Sequence, residues 1–244
     1  MTQAIKILTF VTLFSIAMAF IESAVVVYLR EIFYPNGFVF PLAKISLKIG
    51  IIEVIREFCT LVMLLTIGWL AGTRFITRFA WFIYCFAIWD IFYYIFLKLT
   101  TGWPVSLLTW DILFLIPVTW TSPVIAPVLA SLTMILLAFV IIYFDIREAP
   151  VSIKKYEWIL IISGSIVLVV SFVWDYSKFL FSKFSFIQVL KNFSSPELTE
   201  IAIQYVPDKF NWALFLSGEG IILLGIILIY FRFKKFRIRK LINL

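Results

Sequence analysis

The chain contains no histidine and only two cysteines, Cys59 and Cys85. Without histidine it cannot build His-ligated haem, the usual zinc sites, a Ser-His-Asp triad or a histidine proton relay. Both cysteines lie inside apolar runs, where a thiol usually packs as a small hydrophobic group, so no disulfide framework is expected. The nine glycines never fall at the spacing of a P-loop or a dinucleotide-binding motif. The sequence therefore predicts no cofactor and no resident metal.

Charge is also scarce. Only 14% of the 244 residues are charged, whereas a soluble domain carries roughly 25%. The hydrophobic fraction is 63% and the mean hydropathy is +1.07, more apolar surface than a soluble fold can bury. Several apolar runs reach the length of about 20 residues that a bilayer-spanning helix needs. We therefore predict an all-α polytopic membrane helix bundle, with residues 1–244 forming a single transmembrane domain.

Hydropathy predicts about seven transmembrane helices. They are placed at 7–29, 46–71, 76–98, 104–121, 124–144, 157–175 and 211–232. The fourth is short and carries Pro104 and Pro117, so it is expected to be short, kinked or re-entrant. Irregular backbone at membrane depth persists only where protein buries it, so this segment is expected to pack inside the bundle.

The largest predicted piece outside the membrane is 176–210, an interfacial and extracytoplasmic helical segment. An amphipathic helix is predicted there from apolar and basic side chains at helical spacing, namely Phe179, Lys183, Phe186, Leu190 and Phe193. A capping box at Ser194 and Glu197 predicts a second short helix through Ile201 to Tyr205. A lid over a cavity and a passive connector are the two alternatives for this segment.

The net charge is +7, but six of the positive charges lie between Arg232 and Lys240. Such clustering beside a membrane span indicates topology, so no nucleic-acid partner is predicted. The Lys and Arg balance places the N-terminus outside and the basic tail, 232–244, in the cytoplasm, in the cell (plasma or inner) membrane. Arg74 and Arg78 oppose that balance. The bilayer is the expected partner, and the tail can also bind anionic lipid.

Charged side chains inside the predicted spans suggest a functional site. Each costs about 2.5–3.5 kcal/mol at mid-membrane on insertion scales, so each should face protein, water or another charge. Successive spans alternate in direction, which is expected to bring the acids of spans one to four to one level in the cytoplasmic half, with Glu219 on the outer side. Arg56 should bond an acid from another span. The candidate site comprises Glu22, Glu53, Arg56, Glu57, Asp90, Tyr94 and Asp111.

The sequence is compatible with three functions. The leading hypothesis is a small transporter in which the acids bind a proton or a hard cation, because intramembrane carboxylates often form proton relays. The second is a cofactor-free membrane enzyme acting on a lipid or isoprenoid, with a buried carboxylic acid as proton donor. The third is a non-catalytic subunit of a membrane complex, whose acids pair with basic residues of a partner subunit.

Overall fold

The computed structural model of the chain describes residues 2–115, 118–147, 152–185, 188 and 200–242. Its six long helices are α1 Thr2–Phe33, α2 Leu47–Ala71, α3 Phe75–Thr101, α4 Ile125–Ile146, α5 Lys155–Phe181 and α6 Trp212–Ile242. Two short strands, β1 Trp110–Phe114 and β2 Trp120–Pro123, lie between α3 and α4. The helical class predicted from composition is therefore confirmed.

Five helices, α1, α3, α4, α5 and α6, are long and apolar enough to cross a membrane. Large apolar side chains are exposed along the bundle, among them Phe10 on α1, Leu70 on α2 and Ile162 on α5. Soluble monomers rarely expose apolar surface on this scale. The protein is thus built as a membrane-embedded helix bundle, while the predicted count of seven spans is not confirmed.

The fourth predicted span, 104–121, was wrong. The chain leaves α3 at Gly102, whose φ of +73° lies in the left-handed region that favours glycine. Proline lacks the backbone donor that a helix needs, so Pro104 disfavours an immediate restart. Strands β1 and β2 instead pair antiparallel, with Asp111 opposite Ser122. We call this unit, 110–123, the hairpin.

Two further boundaries differ from the prediction. Residues 176–181 belong to α5, which continues to Phe181, and the basic residues from Arg232 onward belong to α6, which continues to Ile242. Residues 200–202 form one helical turn of the second predicted short helix. Phe186, Leu190, Phe193, Ser194 and Glu197, which carried the rest of the 176–210 prediction, lie outside the described residues.

The helices alternate in direction. Ser131, in the first half of α4, bonds Asp90, in the second half of α3. Asp145, at the end of α4, pairs with Arg74, which immediately precedes α3. Arg232, late in α6, likewise bonds Glu157, early in α5. The ends of α1, α3 and α5 therefore share one end of the bundle with the hairpin, which we call the hairpin end. The opposite end, with the start of α1 and the end of α6, is the tail end.

Helix α3 occupies the centre and packs against α1, α2 and α4, while α6 packs against α5 and α4. Helices α5 and α6 approach closely at two glycines. A Cβ added to Gly164 would lie 2.6 Å from Ile222 Cγ1, and one added to Gly218 would lie 2.9 Å from the Gly164 carbonyl oxygen. Small residues that admit close backbone contact are typical of helix interfaces in membranes.

Candidate functional site

Helix α2 turns its polar side inward. Its buried residues are Glu53, Glu57, Thr60, Leu64 and Gly68, which recur at helical spacing on one face. Its exposed face carries large apolar side chains, including Ile51, Phe58 and Leu70. A helix with carboxylates facing protein and hydrocarbon facing outward fits lipid surroundings, because an intramembrane charge is stabilised only away from lipid.

Arg56 joins two helices through acids on either side of it. Its guanidinium forms an ion pair with Glu22 of α1, and its Nε donates to Glu53 Oε2 at 2.8 Å. The Thr60 hydroxyl donates to the second Glu22 oxygen at 3.2 Å. Glu22 and Glu53 are each 8% exposed, so the pairing takes place out of solvent. The cross-helix ion pair expected for Arg56 is present.

Glu57 connects α2 to the hairpin. The backbone N–H of Leu115 donates to both of its carboxylate oxygens, at 3.1 and 3.0 Å. This bond satisfies a backbone donor just past the end of β1. The carboxylate one turn beyond Glu53 therefore helps to hold the hairpin against the inner face of α2.

Asp111 lies on the hairpin and pairs with the end of α1. Arg30 Nη2 lies 3.3 Å from Asp111 Oδ1. The Arg30 guanidinium also stacks over the rings of Trp103 and Phe38, with its central carbon 3.8 and 4.5 Å from the ring centroids. Aromatic faces stabilise a desolvated cation of this kind, and Asp111 itself is only 2% exposed.

Two tyrosines of α3 link these pairs to Asp90. Tyr93 lies within electrostatic range of Arg30, Arg56, Asp90 and Asp111, and the Tyr94 hydroxyl interacts with Asp111. Asp90, one turn earlier on α3, accepts a 2.8 Å hydrogen bond from Ser131 of α4. The polar groups of α1, α2, α3, α4 and the hairpin thus form one continuous region, which we call the carboxylate cluster.

The structure brings together all seven candidates: Glu22, Glu53, Arg56, Glu57, Asp90, Tyr94 and Asp111. Sequence reasoning left Arg30, Tyr93 and Ser131 out of the set. Arg30 follows Glu22 by eight residues, which places both on similar sides of α1, and this spacing was a usable signal. Ser131 carried no such signal, since a serine in an apolar helix often bonds its own backbone.

Glu219 of α6 stands apart from the cluster. The Thr133 hydroxyl of α4 donates to its Oε2 at 2.6 Å, and the residue is 7% exposed. It lies seven residues into α6, toward the hairpin end, as the cluster does. The expectation that Glu219 occupies the opposite half of the bundle was wrong, because it assumed one more crossing at 104–121.

A second group of polar side chains, Tyr205, Asp175 and Thr121, lies at the hairpin end. The buried Tyr205 hydroxyl donates to Asp175 Oδ2 at 2.7 Å and lies 2.9 Å from the Thr121 hydroxyl of β2. Burial raises the pKa of the Tyr205 hydroxyl, and the neighbouring Asp175 raises it further, so Tyr205 stays a donor. The backbone N–H of Leu42 donates to Ile203 at 3.1 Å. The segments before α2 and before α6 therefore cover the hairpin together.

No family model, curated protein or solved structure matches this chain. The fold and the cluster alone define its class, a helical membrane-type bundle with a buried ion-pair network.

Proposed function

We propose that the protein is a small membrane transporter that binds protons or a hard cation at the carboxylate cluster. The single observation that carries this proposal is the charge of the cluster. Among the residues that the structure describes, it contains five carboxylates, Glu22, Glu53, Glu57, Asp90 and Asp111, and two guanidinium groups, Arg30 and Arg56. Five minus two leaves three carboxylates in excess.

An excess of this size is costly in a region of low dielectric, because adjacent carboxylates resist ionising together. Protons held by the carboxylates lower that cost. A hard cation that exchanges with those protons would also lower it, since hard cations prefer carboxylate oxygens, although no three acids of the described residues form a ready-made metal site. Exchange of one for the other is the elementary step of a cation–proton antiporter. The hydroxyls of Tyr94 and Ser131 beside Asp111 and Asp90 supply positions for proton transfer.

Infrared titration of the purified protein tests the proposal without knowledge of the substrate. At pH 7 we expect a protonated-carboxyl band that shrinks on addition of Na⁺, Mg²⁺ or Ca²⁺ if that cation displaces protons. Asp90→Asn should remove part of the band, whereas Glu31→Gln, at an exposed position near the end of α1, should leave it intact. A band that is absent at pH 7, or that the Asp90 variant does not alter and no cation reduces, rejects the proposal.

We also propose that α2 is the sixth membrane span and that both chain termini lie in the cytoplasm. Twelve of the 21 Lys and Arg residues then belong to the tail end: Lys6, Arg74, Arg78, Arg147, Lys154, Lys155, Arg232, Lys234, Lys235, Arg237, Arg239 and Lys240. Positive residues accumulate in cytoplasmic loops. Arg74 and Arg78, which opposed the seven-span topology, agree with this one, and the carboxylate cluster comes to lie in the outer half of the membrane.

Reporter fusions at the two termini check this topology. A phosphatase reporter, active only outside, should be inactive at both ends, and a fluorescent reporter that matures only in the cytoplasm should be bright at both. A phosphatase inserted after Gly37, in the segment between α1 and α2, should be active. An outside N-terminus combined with a cytoplasmic C-terminus would restore an odd number of spans.

A further inference from the structure

An apolar groove lies on the outer surface of the bundle between α3 and α5. Its volume is about 360 Å³, and it opens outward. Phe79 of α3 forms one wall, and Trp158, Ile162, Ile166 and Val169 of α5 form the other, with Ser165 as the polar member. Trp158 marks the tail-end limit of the groove, where its ring contacts Phe75 and Phe79 at centroid distances of 6.2 and 5.2 Å.

Two lysines stand at that limit. Lys155 precedes Trp158 by three residues and therefore projects from the same side of α5, and Lys154 is its neighbour. Both are exposed, and neither forms an ion pair with another residue of the part of the chain that the structure describes. Two acids of the described residues near this end are already engaged, since Glu157 accepts two bonds from Arg232 and Asp145 pairs with Arg74.

We infer that this groove is a binding site for one anionic phospholipid of the surrounding bilayer. An acyl chain lies in the groove against Ile162, Ile166 and Val169, and the phosphate headgroup lies at Lys154 and Lys155. The combination is chemically specific, because the apolar walls suit a hydrocarbon chain while two cations without an ion-pair partner in the described residues suit a headgroup of net negative charge. Trp158, between them, occupies the level at which tryptophan anchors proteins to the membrane interface.

The site is separate from the carboxylate cluster. It lies at the tail end, whereas the cluster lies toward the hairpin end, and the groove lining includes none of the cluster residues. The groove is lined by residues of α3 and α5 and by none of α6.

Native mass spectrometry of the detergent-purified full chain tests it. The protein is titrated with phosphatidylglycerol or phosphatidylcholine of identical acyl chains. We expect tighter binding of phosphatidylglycerol by at least tenfold, since each basic residue near a membrane surface contributes about a fivefold change in affinity. The Lys154→Gln/Lys155→Gln variant should reduce that preference at least tenfold, while the basic residues of α6 remain in place. The matched control, Lys178→Gln/Lys183→Gln, removes two exposed lysines at the other end of α5 and should keep it.

Ser165→Phe fills the groove and so tests whether the acyl chain lies there. This variant should bind both lipids more weakly. Equal affinity of the wild type for the two lipids overturns the inference, as does an equal loss in the Lys178/Lys183 control. If the Ser165 variant binds lipid as the wild type does while the Lys154/Lys155 variant shows the expected loss, the acyl chain does not lie in the groove and only the headgroup is bound.

Discussion

Replacing Arg56 with methionine is expected to lower the free energy of unfolding by about 3–5 kcal/mol, the usual cost of removing one partner from a buried ion pair. Methionine keeps most of the side-chain length, so packing changes little. Glu22 and Glu53, each 8% exposed, would lose the cation between them. The measurement is thermal or denaturant-induced unfolding of the detergent-purified protein, followed by circular dichroism.

The control removes the same charge from the same helix. Lys48→Met, at an exposed position in the first turn of α2, should change stability by less than about 0.5 kcal/mol, as surface substitutions do. Adding Glu22→Gln and Glu53→Gln to Arg56→Met should restore much of the loss, because no buried charge is then left unpaired. Wild-type stability of the single Arg56→Met variant would show that these acids are compensated without the arginine.

Most of the helical frame was accessible from the sequence, because apolar runs of bilayer length leave few alternatives to a helix. The prediction at 46–71 corresponds closely to α2, and that at 124–144 to α4. Hydropathy predicted a span at 104–121 because the segment is apolar. Its apolar side chains instead belong to strands that are packed inside the bundle. These strands are covered by α5, where Trp120 stacks on Phe172 with centroids 6.0 Å apart, and by Phe210 just before α6, which contacts Trp110. The segment therefore needs apolar side chains without forming a helical span.

The missing span changed more than a count. Without a helix at 104–121, α4, α5 and α6 run opposite to the directions first predicted for them, which changed the level assigned to Glu219. The cluster of spans one to three was insensitive to this error. Its members depend on spacing within α2 and on adjacent helices running in opposite directions, and these local relations hold however many spans follow.

Two hydrogen-bond donors to the acids of the cluster could not be predicted from residue spacing, because one is a backbone N–H and the other lies on an apolar helix. The bond from the Leu115 N–H to Glu57 depends on where the hairpin turns, and the bond from Ser131 to Asp90 depends on how α4 is rotated about its axis. Helix rotation in a membrane is decided by packing against neighbours rather than by hydropathy. The same applies to the glycine contact between α5 and α6, which no charge pattern reveals.

The second large effect on stability is expected at this glycine contact between α5 and α6. Gly218→Leu should lower the free energy of unfolding by about 3 kcal/mol or more. Overpacking typically costs about 1–3 kcal/mol, and this site has less room than most. Its Cβ alone would lie 2.9 Å from the Gly164 carbonyl oxygen and 3.0 Å from the Leu168 backbone nitrogen, and backbone atoms cannot rotate away as side chains do. Helices α5 and α6 would have to separate, which also loosens the Glu157–Arg232 pair at their tail end.

Gly220→Leu is the matched control, because it introduces the same residue two positions along the same helix. Position 220 is exposed, and a Cβ there meets nothing within 4 Å. Loss of a helical glycine should leave that variant as stable as the wild type or slightly more stable. Unfolding temperature and monodispersity in detergent measure both variants. Similar behaviour of the two leucine variants would mean that α5 and α6 do not pack through Gly218, whereas a loss confined to position 218 shows that α6 needs this contact in addition to its packing on α4.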